Sequence, residues 1–207
     1  MTDVAIDELL ASLGLEGDAA ALGRAALEDA GLTNPRKQRI AAAKVDRARA
    51  AVDARLARLC EACAEQAPRD GRRVVRVPPA LCPRCGGSNN RRALRDLVDA
   101  CARAGVRRLC IVGGSPALRK QLRSALGGEL ELRLVDGVER RTKAEAQGDL
   151  AWADVVLVWG SSILAHKVST LYTREPGATR VVTVPRRSIE ALAGELVRHL
   201  ARRPAAP

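Results

Sequence analysis

From residue 106 onward, short apolar runs alternate with stretches whose apolar positions recur every three or four residues. The runs predict strands at Val106–Val112, Leu130–Val135, Val155–Trp159 and Arg180–Val184. The intervening stretches predict helices at Pro116–Leu126, Thr142–Ala151, Ile163–Tyr172 and Ser188–Ala201. Strands that are apolar on nearly every position are buried on both faces. Repeated strand-then-helix units therefore predict a small parallel sheet of about four strands with helices on both sides. The keystone is Leu109-Cys110-Ile111-Val112-Gly113-Gly114-Ser115, where a buried strand breaks into a glycine turn and a helix follows at once. It reads as the first strand and phosphate-sized turn of a Rossmann-like sheet, which predicts strand order 2-1-3-4 with the crossover at strand one.

Upstream of residue 106 the period is helical. Asp3 or Asp7 can cap a helix ending at Leu13. Asp18 opens a second, which reaches Ala30 with Gly31 behind it. After a turn at Thr33-Asn34-Pro35, a third helix is expected from Arg36 to about Cys60. Another, capped by Ser88, Asn89 or Asn90, is expected from Arg91 to Ala104. A helix-turn-helix reading would aim Arg36, Lys37 and Arg39 at phosphates. A plain helical hairpin fits the apolar anchors better. The chain then reads as α/β in three parts: a helical N-terminal region (1–59), a four-cysteine zinc-binding module (60–88) and a Rossmann-like α/β domain (89–207).

Composition changes this picture in two ways. Of 207 residues 47% are hydrophobic, yet Phe is absent and aromatics make up 1%, so the core must be aliphatic. Net charge is +11 and unevenly spread. Residues 1–31 hold seven acids against Arg24 alone, while residues 32–110 hold nineteen bases against seven acids. A basic block of this kind points to a polyanion, DNA or RNA first, with Arg91, Arg92 and Arg95 as further candidate contacts. These three crowd a helix start, where the dipole disfavours cations. No run reaches the ~18 apolar residues of a membrane span. The first residues lack signal-peptide features, so a cytoplasmic location is expected.

In a reducing compartment, cysteines are metal ligands or free thiols sooner than disulfides. Cys60-x2-Cys63 and Cys82-x2-Cys85 form two closely spaced pairs, the pattern of a structural zinc site. Cys82-Pro83-Arg84-Cys85-Gly86-Gly87 has the form of a zinc knuckle, with glycine where the backbone needs positive φ. Four thiolates fill a tetrahedron and leave no open position for catalysis. Between the pairs, Arg72–Val77 predicts a short strand.

Open parallel sheets bind ligands outside the carboxyl ends of their strands. Here those ends carry Gly113, Gly114 and Ser115; Asp136 and Gly137; Gly160, Ser161 and Ser162; and Arg186, Arg187 and Ser188. Such turns suit a phosphate-bearing or nucleotide-like ligand. The run after the first strand is not the dinucleotide fingerprint, and there is no P-loop. His166, expected one turn into its helix, could face this crevice beside Ser162. Trp159 could stack a base or fill the core.

Several of these residues together resemble an uncharacterised bacterial Rossmann-like domain family over residues 106–200. They are Val112-Gly113-Gly114, Asp136-Gly137, Ala153-Asp154, Ser161-Ser162 with His166-Lys167, and Ser188. The resemblance implies the fold more than an activity. The expectation is a zinc-containing, nucleic-acid-associated or regulatory protein whose basic segment contacts phosphates and whose crevice takes a nucleotide-like ligand. The alternative is an enzyme acting on a phosphorylated small molecule, with His166, Asp136 and Ser162 as the reactive groups.

Overall fold

Short strands at the start of the chain depart from the helical reading. The computed structural model describes residues 3–67, 69–160, 164–174 and 180–202, and the chain divides into two compact units, 1–88 and 89–207. The first unit begins with β1 (Asp3–Ala5), α1 (Ile6–Ser12), α2 (Asp18–Asp29) and β2 (Arg39–Ala41). It continues with α3 (Val45–Arg55), β3 (Leu56–Leu59), α4 (Glu61–Ala64) and β4 (Arg73–Arg76). β1 pairs antiparallel with β2, and β3 pairs parallel with β4. The N-terminal part is therefore mixed, not purely helical.

The reason is local and then tertiary. Asn34 folds the backbone into a turn, accepting from the Arg36 N–H at 3.0 Å, while Lys37 N–H donates to Asn34 O at 3.0 Å. That turn sends the chain straight into β2. The segment after α2 is thus a turn and a strand, which rules out a helix-turn-helix built from residues 18–60. α2 itself ends as expected, with Leu32 N–H donating to Leu27 O at 3.0 Å and Gly31 N–H to Glu28 O at 2.9 Å. β3 replaces the last turn of the expected third helix because all four of its residues are buried. One of them is Arg58, 7% exposed. Its guanidinium donates to Leu13 O at 3.0 Å, at the carboxyl end of α1, and to Asp53 at 2.9 Å. The cation thereby satisfies an open helix-end carbonyl inside the core.

The second unit has α5 (Asn89–Arg103), β5 (Arg108–Val112), α6 (Pro116–Leu126), β6 (Glu131–Val135) and α7 (Lys143–Trp152). β7 (Val155–Val158), α8 (His166–Thr173), β8 (Val181–Thr183) and α9 (Ile189–Ala201) complete it. The four strands form one parallel sheet in the order β6-β5-β7-β8, so the direction of winding reverses at β5. Alternate strand residues feed two cores. Leu109, Ile111, Val155 and Leu157 face α5, α6 and α9. Cys110, Val112, Val156 and Val158 face α7 and α8. The result is a three-layer α/β/α arrangement. Thr142 and Ser188 cap α7 and α9 through their side chains, Thr142 in a full capping box with Glu145.

Candidate metal centre and the carboxyl rim of the sheet

Parallel pairing explains how two cysteine pairs separated by eighteen residues come together. The β3–β4 register sets Leu59 opposite Arg76, and Val77 N–H extends the ladder to Leu59 O at 3.0 Å. Both strands therefore end at one level and point the same way. Cys60 follows β3 directly and caps α4, which carries Cys63. After β4, Pro78 and a 3-10 turn over Pro79–Leu81 bring the chain back to Cys82. Gly86 N–H donates to Cys82 O at 2.8 Å and Ser88 N–H to Cys85 O at 2.9 Å. That knuckle needs φ of +53° and +79° at Gly86 and Gly87, a conformation that favours glycine.

The four Sγ atoms lie within 4.8 Å of one another, all four residues are buried, and none is in a disulfide. Cys60 Sγ is 3.6 Å from Cys85 Sγ. A tetrahedron with metal–sulfur bonds of about 2.3 Å has edges of about 3.8 Å, so the donor set fits a soft divalent ion. The thiols are unequal. Burial and the surrounding cysteines push Cys63 far up, and burial raises Cys85 as well. Burial also pushes on Cys82, but backbone N–H groups of Cys60, Cys85 and Arg84 outweigh it and hold that thiol at about 7. Four buried sulfurs packed this closely are compatible with a cation that carries the charge their ionisation leaves.

At the carboxyl rim, the described residues mostly satisfy one another. Asp136, at the end of β6, accepts from Arg119 Nη2 at 2.6 Å and from Val138 N–H at 3.0 Å, which holds its carboxyl below the usual range. Arg119 also donates to Gly114 O at 2.7 Å. Gly113 N–H donates to Val135 O, Gly160 N–H to Val184 O, and Gly137 O accepts from Ala165 N–H at 2.7 Å. Ser115 turns inward to cap α6, accepting from Leu118 N–H at 3.4 Å. Trp159 is fully buried, and its indole N–H donates to Arg186 O at 2.7 Å, so it is a core residue. His166 is the first residue of α8, exposed, rather than one turn in. Arg186 and Arg187 are exposed in the bend before α9. Ser161 and Ser162 lie outside the described residues.

Gly114 is where this rim is tightest. Its φ is +83°, and a Cβ there would come within 3.0 Å of Trp159 Cε3. Gly114→Ala should therefore lower stability by about 2 kcal/mol, read as a shift in denaturant midpoint at unchanged slope.

Of the basic candidates, Arg36 and Lys37 lie exposed in the turn before β2, and Arg39 donates to the Asp3 carbonyl. Arg91 is exposed, Arg92 half-buried, and Arg95 is paired with Glu129 at 3.1 Å. At the opposite end of the sheet, Asp154 ties β5 to β7. It accepts from the Arg107 and Arg108 N–H groups at 2.9 Å each, a structural task.

The sequence did not signal a buried node on the α7–α8 side. Asp149, 1% exposed, accepts from Arg133 Nη1 at 2.9 Å, from Arg141 Nε at 3.0 Å and from the Tyr172 hydroxyl at 2.5 Å. Arg133 in turn stacks on Trp152, 4.3 Å from the ring centroid.

Comparison with protein-family models, with curated proteins and with solved structures returned no match for this chain.

Proposed function

We propose that this is a zinc-stapled, non-catalytic protein that associates with nucleic acid through phosphate contacts from residues 36–49. One observation carries the reading. Between Arg36 and Arg49 six bases face one acid, Asp46. The side chains of Arg36, Lys37, Lys44, Arg47 and Arg49 are exposed, and no hydrogen bond or ion pair to them is found among the described residues. Most other bases of the first unit are spent on carboxylates, Arg55 on Asp29, Arg58 on Asp53, Arg72 on Asp70 and Arg76 on Glu61, while the exposed Arg69 and Arg73 have no such partner among the described residues. An unneutralised basic run on a folded unit is the electrostatic footprint of a polyanion contact.

Zinc is the ion proposed for the cysteine cluster, because four thiolates in a tetrahedral set select it and leave it no catalytic position. The six free cysteines support a reducing compartment such as the cytoplasm. The strand order with its reversal at β5 supports a Rossmann-like description of the second unit. Its rim, as far as it is described, is filled by Arg119, Asp136 and Trp159, so the proposal places the contact on the first unit and not in the sheet crevice. Metal analysis of the purified protein should give about one zinc per chain. Labelled nucleic acid should bind at low salt, and Arg36→Glu with Lys37→Glu, Lys44→Glu and Arg47→Glu should abolish binding while zinc content stays the same. Binding that survives the four reversals would refute the assignment.

A further inference from the structure

Resting on that nucleic-acid reading, we infer that the ligand is a double-stranded nucleic acid, held by its phosphates without sequence readout. Proteins that take single strands supply aromatic faces on which splayed bases stack, at roughly 1–3 kcal/mol per base. This chain has three aromatic residues, Trp152, Trp159 and Tyr172, and no Phe. Trp159 and Tyr172 are fully buried, and one face of the half-buried Trp152 carries the Arg133 guanidinium at 4.3 Å. The first unit, where the contact is proposed, contains no Trp, Tyr, Phe or His, so it offers no aromatic ring on which a base could stack.

Direct reading of base edges fares no better. It requires neighbouring side chains on one helix face lying in a groove. On α3 the exposed bases not held in an ion pair are Arg47 and Arg49, since Arg55 is paired with Asp29; the two lie two residues apart and therefore about 200° apart around the helix axis. One of them can face a groove only if the other faces away. Lys44 and Arg47, three residues apart, share a side, and Arg36 with Lys37 come from a turn. Such a set reaches phosphates at several heights but no run of adjacent bases.

Counterion release is then the whole driving force, and it favours the ligand of higher charge density. A duplex carries one charge per about 1.7 Å of axis. Five contacts predict a slope of log K against log salt of about −4.5 on duplex and about −3.5 on single strands. Between 50 and 200 mM salt, duplex affinity should fall about 500-fold.

The test is competition binding by the full-length, metal-loaded protein. The probes are duplex DNA, duplex RNA and single-stranded DNA with equal numbers of phosphates, and a second duplex DNA of unrelated sequence. Either duplex should outcompete the single strand at least tenfold, the two arms showing whether DNA or RNA is preferred. The two DNA sequences should agree within twofold, and Arg36→Glu with Lys37→Glu should flatten the duplex slope by about 2. A single strand that competes equally, or a tenfold preference between the two duplex sequences, overturns this inference and leaves the nucleic-acid reading standing. Absence of binding to every probe at low salt overturns the nucleic-acid reading itself.

Discussion

A strong chelator should unfold the first unit and leave the second folded. The two units have separate cores. Leu9, Leu27, Ile40 and Val52 pack in one cluster with all four cysteines, whereas the sheet strands β5 and β7 are buried among their own helices. In the first unit the β3–β4 pair is short, and the chain beyond each strand is fixed by the cysteine cluster. Binding of a structural zinc to four thiolates is worth about 10–16 kcal/mol at neutral pH, as large as the whole stability of an ordinary domain at about 5–15 kcal/mol. If the cluster holds the proposed zinc, removing it takes away the cation that would make four ionised buried sulfurs tolerable, and the helices packed on them lose their anchor. Amide exchange should show it. Leu9, Leu27 and Val52 should lose protection on chelation, while Leu109, Ile111 and Val156 keep theirs. Cys63→Ser should do the same without chelator. Loss of protection in both units together, or a first unit that stays protected without metal, would contradict this.

The second unit was legible in the sequence and the first only in part, for a physical reason. A parallel strand buried on both faces must be apolar almost throughout, so Leu109–Val112 and Val155–Val158 announce themselves without any partner being known. With right-handed crossovers and short connections, the order β6-β5-β7-β8 follows closely from the alternation. The strands of the first unit are three or four residues long, too short for a period of two to register. Leu56-Ala57-Arg58-Leu59 is made of good helix formers. It is extended because pairing with β4 and the Asp53 and Leu13 partners of Arg58 override local preference. The cysteine cluster was readable from spacing alone, because two-residue spacers make each pair a unit and only their meeting needs the fold. Asp136 at the rim was readable as a residue but not in its role, since its partner Arg119 lies on a different element. The Asp149 node was not readable at all. Its donors come from β6, from the residue preceding the capping Thr142, and from α8, and no local pattern links them.

That node carries the second large expectation. Asp149→Ala should cost about 3 kcal/mol, because it leaves the largely buried Arg141 guanidinium and the Tyr172 hydroxyl without their acceptor, while the more exposed Arg133 can turn to water. Tyr172→Phe should cost only about 1 kcal/mol, since Arg133 and Arg141 still satisfy the aspartate. Denaturant midpoints of the second unit would separate the two. The pH dependence has a definite sign. Burial alone would push Asp149 up, but the Tyr172 hydroxyl, Arg141 and Arg133 together hold its carboxyl below the usual value of 3.8. A carboxyl lowered in the folded state contributes stability that is complete above the unfolded value and disappears as pH falls through the folded one. Tyr172 moves the other way. Burial first, and the Asp149 hydrogen bond after it, raise its phenol above 10, so its share persists below the unfolded value and is lost only as pH climbs through the folded one. The second unit should therefore hold this contribution from about pH 5 to about pH 9 and lose it on both sides. In Asp149→Ala the loss on the acid side should become shallower, because the group whose protonation drove it is gone.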